Sequence, residues 1–212
     1  MVNTVHIATT PEIIRIFPQC FTAANLGRAI TKKEMAACIK YKKTAVPIQN
    51  NIASTEQYVL DKEPNLSGIK DFIMSGINYY ADTVIAPDVK PDFYITQSWL
   101  NWTHKGESHH EHVHPNSFLS GVFYLNVVAG RDEIVFSKVS NSPFSLPSSN
   151  YTELNSDSWF WKVNAGDMVL FRSNIPHKVP EIKTDEVRIS LAFNVFMRGI
   201  IGDYNSSTEL VI

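Results

Sequence analysis

The sequence predicts a mainly β domain, an antiparallel sandwich or barrel, with helices confined to its first ninety residues. Two observations carry this. Beyond Pro91, short runs rich in aromatic and β-branched residues recur between Gly, Asn, Ser and Pro: "FYITQSWLNWT", "GVFYLNVV", "EIVFSKV", "SWFWKV", "DMVLF" and "VRISLAFNVF". No helical period intervenes between these runs, whereas a parallel βαβ sheet needs a crossover helix after each strand.

Before Pro91 the pattern is different. "TKKEMAACIKYKKT" opens with Thr31 as N-cap and Glu34 three residues on, the spacing of a capping box. "SGIKDFIMSGINYYADTVI" puts Ile69, Phe72, Ile73, Ile77 and Tyr80 on one helical face. These helices have little else to bury against, so they are expected on the outside of the β unit. The expected organisation is one domain: a helical extension over residues 1–90, a β core over 91–198 and a tail over 199–212. Within the core, Phe123, Tyr124, Trp159, Phe160 and Trp161 are expected to form interior and barrel wall. "SNSPFSLPSSNYTELNSD", residues 140–157, reads as a long polar loop.

Bulk properties narrow the class. A net charge of −2 gives no electrostatic support for nucleic acid or an anionic membrane as partner. The aromatics lack an accompanying basic groove, and the lysines around residues 32–43 read as a solvated face. Cys20 and Cys38 lack CxxC spacing and are expected to be reduced thiols of an intracellular protein. No leader pattern opens the chain and no run approaches 18 apolar residues, so a cytoplasmic protein is expected.

The distinctive segment is "HKGESHHEHVH", residues 104–114, which holds five of the seven histidines. A metal site, a solvated loop and a pH-sensing patch would each produce such a run. On a regular strand His110, His112 and His114 share a face and supply clustered imidazoles. A ligand from elsewhere has to be His177, in "RSNIPHKV", or His6. Eleven residues after His177, Arg188 opens the most apolar strand. Alternation there sets Val187, Ile189, Leu191, Phe193 and Val195 on one face, and Arg188, Ser190, Ala192 and Asn194 on the other. An inward arginine and serine need an anionic or polar partner, and a guanidinium suits a carboxylate with two parallel hydrogen bonds. Together these residues point to a metal beside a dicarboxylate.

The segments "WLNWTHKGESHHEHVHPNSFLSGVFYLN", "VNAGDMVLFRSNIPHKV" and "VRISLAFNVF" resemble the 2-oxoglutarate/Fe(II)-dependent dioxygenases. The pattern of His-x-His-Pro, Ser-Gly-x-aromatic-Tyr, Gly-Asp, Pro-His and Arg-x-Ser is similar to that of small members from marine bacteria and their phages. The resemblance spans about residues 97–197. It implies a double-stranded β-helix, a jelly roll whose mouth holds Fe(II), with 2-oxoglutarate and O2 as co-substrates in hydroxylation of a small molecule or peptide. The cytoplasm of a bacterium or a phage-infected cell is the implied compartment. Carried over by position, His112, His114 and His177 are the implied metal ligands. Arg188 is the implied carboxylate anchor, with Ser190 and Tyr124 as helpers at the co-substrate. Trp99 and Asn101 would line the substrate side or pack in the core.

One departure matters. The superfamily pattern is His-x-Asp or His-x-Glu, which gives two histidines and a carboxylate; here the second position is His114. Three neutral imidazoles leave the metal at a formal +2 and make its binding weaker and more acid-sensitive. Glu111, with His109, offers an alternative set, although strand alternation puts both opposite His112 and His114. A cupin fits "GESHHEHVH" less well, because "PNSFLSG" lacks the glutamate expected after the histidines. A non-enzymatic jelly roll would not need Arg-x-Ser, and a zinc hydrolase would have only Glu111 as base.

Overall fold

The computed structural model describes residues 12–138 and 146–212. In chain order the elements are β1 (Phe21–Asn25), α1 (Lys32–Ile39), β2 (Val46–Ile48), β3 (Asn51–Ala53), α2 (Val59–Lys62) and α3 (Ser67–Tyr80). Then come β4 (Asp92–Thr103), β5 (His109–His112), β6 (Leu119–Asn126), β7 (Glu133–Ser137), β8 (Ser158–Lys162) and β9 (Asp167–Arg172). Finally β10 (His177–Val179) and β11 (Arg188–Arg198) complete the core, and β12 (Ile200–Ile201) pairs with β13 (Leu210–Val211) in the tail.

Two antiparallel sheets face each other. The larger runs β1-β9-β6-β11-β4-β3-β2 and the smaller β5-β10-β7-β8. Between them lie Tyr124, Val169 and Phe171 from the larger sheet and Ile134 and Phe136 from the smaller, with Phe136 edge-on to Phe171 at 5.0 Å. This is the double-stranded β-helix.

The outer face of the larger sheet is the second apolar layer. α3 lays Ile69, Ile73, Ile77 and Tyr80 on it, all buried, against Phe123, Leu170, Leu191 and Phe193. Helical period three-to-four on one side and strand period two on the other make these stripes meet. α1 starts as its sequence requires. The Thr31 hydroxyl accepts from the Glu34 N–H at 3.2 Å, and the Thr31 N–H donates to the Glu34 carboxylate at 2.7 Å. Arg28 also pairs with Glu34, and the guanidinium holds that carboxyl at about 2.

Two features depart from the sequence reading. The first ninety residues are more than helical cover: β1 closes one edge of the larger sheet, and β2 and β3 extend the other. Short strands of three to five residues carry too little periodicity to be seen among helical signals. Trp159, Phe160 and Trp161 are not barrel wall. They lie on β8, the edge strand of the smaller sheet, 43%, 54% and 40% exposed. An edge strand has a neighbour on one side only, and aromatic content alone cannot distinguish it from a central strand. Phe123 and Tyr124 are fully buried, as expected. Part of the anticipated polar loop and His6 lie outside the described residues. Among the described residues no helix is long and apolar enough to cross a membrane.

Candidate metal centre

The site lies where the short sheet meets β11. β5 and β10 run antiparallel with His112 directly opposite His177. His114, just past β5, is held by its backbone N–H on the Ser173 carbonyl at 3.0 Å. The result is a convergent set: one ring nitrogen from each of His112, His114 and His177, all within 4.8 Å of one another. His114 Nε2 and His177 Nε2 are 3.3 Å apart. Two nitrogens bound at right angles to one first-row metal would be roughly 3 Å apart.

The orientation of the rings is fixed from behind. His177 Nδ1–H donates to the Ile175 carbonyl at 3.0 Å, and His112 Nδ1–H donates to the His110 carbonyl at 2.8 Å. Each bond places the proton on Nδ1 and leaves the Nε2 lone pair for the pocket, as a metal ligand requires. Burial opposes the charged form of all three. It pushes His177 down to about 3 and His114 to about 4, and His112 also below its ordinary value. Three unprotonated imidazoles at neutral pH are the state in which a metal binds.

Arg188 sits in the same pocket with Ser190, both 2% exposed. They point inward while Leu191, Phe193 and Val195 face the helical layer. Arg188 Nη1 donates to Ser190 Oγ at 3.2 Å, and its guanidinium carbon stands 5.1 Å from the centre of the Tyr124 ring. Arg188 Nε and Tyr124 Oη are buried with no hydrogen-bond partner, as are Asn101 Oδ1 and Thr103 Oγ1 on β4. Among the described residues no carboxylate pairs with Arg188. A buried cation left without an anion costs several kcal/mol, so this cradle fits an anionic ligand. Trp99 and Asn101 line the same pocket.

The strand carrying the histidine run is not regular. His112 pairs with His177, but His109 pairs with Val179, so four residues of β5 span three of β10. This β-bulge absorbs one residue and reverses the alternation behind it. His109 therefore lines the pocket, its ring stacked on His112 at 4.6 Å, while His110 is exposed instead of sharing the face of His112 and His114. Alternation counted from sequence places these two histidines the other way round, and no residue in "HHEH" signals the bulge. Burial pushes His109 down to about 3. Glu111 faces outward, accepting from the Ser137 hydroxyl and lying 3.7 Å from Lys178 Nζ, away from the triad.

A jelly roll whose mouth brings together three imidazoles and a buried arginine has a donor set suited to a metal ion and a charge suited to an anion. Residues 97–194 match a family model described as "Putative 2OG-Fe(II) oxygenase". No curated protein matches the chain. Solved structures do, at low identity. A prolyl-4-hydroxylase of Pseudomonas putida is 16% identical, with 85% of this chain and 94% of that chain covered at a TM-score of 0.55. HygX of Streptomyces hygroscopicus, with nickel, 2-oxoglutarate and hygromycin B bound, is 10% identical, with 84% and 82% covered at 0.56. A 2OG-Fe(II) oxygenase family oxidoreductase of Burkholderia pseudomallei is 13% identical, with 82% and 83% covered at 0.54. At such identities the likeness to these structures is one of fold.

Over residues 97–194 the chain is similar to the 2-oxoglutarate/Fe(II)-dependent oxygenase family. Its members are oxidoreductases that use Fe(II), 2-oxoglutarate and O2.

Proposed function

We propose that this chain hydroxylates a C–H bond of a small molecule or peptide, with His112, His114 and His177 holding Fe(II) and Arg188 anchoring 2-oxoglutarate. When bound, the iron activates O2 as 2-oxoglutarate is oxidatively decarboxylated to succinate, so that one oxygen atom reaches the substrate. The observation that carries the reading is the coincidence, in one pocket, of three convergent imidazole nitrogens and a buried guanidinium with an unpartnered Nε.

The protein's part is orientation and exclusion of water. The Ile175 and His110 carbonyls lock the imidazole edges of His177 and His112. Arg188 and Ser190 supply charge and donors for the distal carboxylate of 2-oxoglutarate, and Tyr124 Oη adds a donor beside them. Val122, Ile134 and Phe171 line the pocket with apolar surface and keep the fixed charges poorly hydrated.

The test is anaerobic Fe(II) titration of the metal-free protein with and without 2-oxoglutarate, following the weak visible charge-transfer band of the ternary complex. The expected result is a band that requires both additions and disappears in His177→Ala and Arg188→Ala. Iron binding with no response to 2-oxoglutarate would move the reading to a cupin-type metal protein. No iron binding would leave a non-enzymatic jelly roll.

A further inference from the structure

The pocket contains one imidazole that neither the metal set nor the arginine cradle uses. His109 is turned inward by the bulge in β5, stacks on His112 at 4.6 Å, and lines the pocket shared by the triad and Arg188. Its ring nitrogen is not a fourth member of the mutually close set formed by His112, His114 and His177; it forms a second close set with His112 and the exposed His110, which lies away from Arg188.

Two contacts fix its placement, both from the β2–β3 hairpin. Asn51, 3% exposed at the start of β3, directs Nδ2 at His109 Nδ1 at 3.2 Å. The neighbouring Ser108 N–H donates to the Asn50 carbonyl at 3.0 Å. Because the Asn51 amide nitrogen is a donor, His109 Nδ1 accepts, and the ring proton resides on Nε2. The opposite edge of the ring thus presents an N–H to the pocket. Val122, Ile134, Phe171 and Val179, which line the same pocket, carry no side-chain donor.

Resting on the reading above, we infer that His109 is a co-substrate-binding residue. Its Nε2–H donates to the 2-oxo-acid end of 2-oxoglutarate, and Asn51 sets the tautomer that makes this possible. A dianion held only by Arg188 at one end is free to pivot, and a donor near the metal removes that freedom. The inference also gives the N-terminal strands a role: β3 completes the pocket through Asn51.

The experiment measures 2-oxoglutarate affinity anaerobically in protein loaded with Co(II), whose own affinity is read from its visible absorption. His109→Phe keeps the stacking and loses the donor. It should bind 2-oxoglutarate about tenfold more weakly, while Co(II) affinity stays within about twofold. His109→Gln keeps an N–H donor and should remain within about threefold of the native chain. Asn51→Asp accepts from Nδ1–H and turns Nε2 into an acceptor facing an anion, so it should weaken binding at least as much as His109→Phe. Native affinity in both His109→Phe and Asn51→Asp overturns the role of His109 and leaves the oxygenase reading intact. A native, Co(II)-loaded chain that does not bind 2-oxoglutarate overturns that reading and the inference with it.

Discussion

His112 and His177 are direct cross-strand partners on β5 and β10, with ring centroids 4.3 Å apart. Two candidate ligands separated by 65 positions in the chain are thus held at fixed spacing by a backbone ladder. Such a pair is organised before any metal arrives, and the cost of positioning it is met by folding.

That preorganisation has a consequence in acid. His177 and His114 sit at about 3 and about 4 against an ordinary value of 6.5, because burial opposes the cation. The folded chain therefore takes up protons less readily than the unfolded chain. Stability contributed by these groups is complete above about pH 6.5 and is lost as pH falls from there toward 4 and 3. At pH 4.5 a site such as His177 should cost the metal-free protein about 2–3 kcal/mol, or about 5–10 °C in Tm relative to pH 7.5. His177→Leu should flatten that dependence; thermal melts across this range in a chelator check it.

Arg188 should separate stability from co-substrate binding. Arg188→Met removes a buried charge with an unpartnered Nε, so the metal-free protein should be as stable as the native chain or more so. Its affinity for 2-oxoglutarate should fall by about a hundredfold with the loss of charge-assisted bonds. Saturating 2-oxoglutarate should raise the Tm of the native, metal-loaded chain and leave that of Arg188→Met unmoved.

The all-imidazole set can be tested against the carboxylate alternative. Glu111 is engaged by Ser137 and Lys178 on the outer face, so Glu111→Gln should leave Co(II) affinity within about twofold. His114→Asp restores the common superfamily pattern and should tighten Co(II) by about tenfold, since a carboxylate beside a divalent cation in a partly buried site contributes more than about 1.4 kcal/mol. Calorimetric titration of both variants decides between the two sets. Glu111→Gln losing metal would move the site to the outer face.

Gly121 explains the small residue in "LSGVFYLN". A Cβ there would lie 2.2 Å from Phe193 Cζ and 2.6 Å from Cε2, across the β6–β11 pair in which the two residues are partners. Phe193 is fully buried and has no space to retreat into. Gly121→Ala should therefore destabilise by about 1–3 kcal/mol. In a chain of this size the loss corresponds to about 2–10 °C in Tm, measurable by scanning calorimetry.

The sequence by itself determined the antiparallel β class, the helical face at 69–80, the capping box at Thr31, and the inward row of Arg188, Ser190 and Ala192. Each of these depends on local periodicity or on residues three or four apart, which chain geometry enforces wherever the element packs. The order of His-x-His, Pro-His and Arg-x-Ser was legible too, because strand polarity and sheet topology preserve motif order along the chain.

Only the tertiary structure decided which histidines face the pocket. The bulge opposite Lys178 is a property of the β5–β10 pairing, and it brings His109 in and sends His110 out. Tertiary pairing likewise placed β1, β2 and β3 at the edges of the larger sheet, where Asn51 reaches His109, and left the aromatics of β8 exposed at the rim of the smaller one. Edge, bulge and register are relations between strands distant in sequence, so no window of residues along one strand contains them.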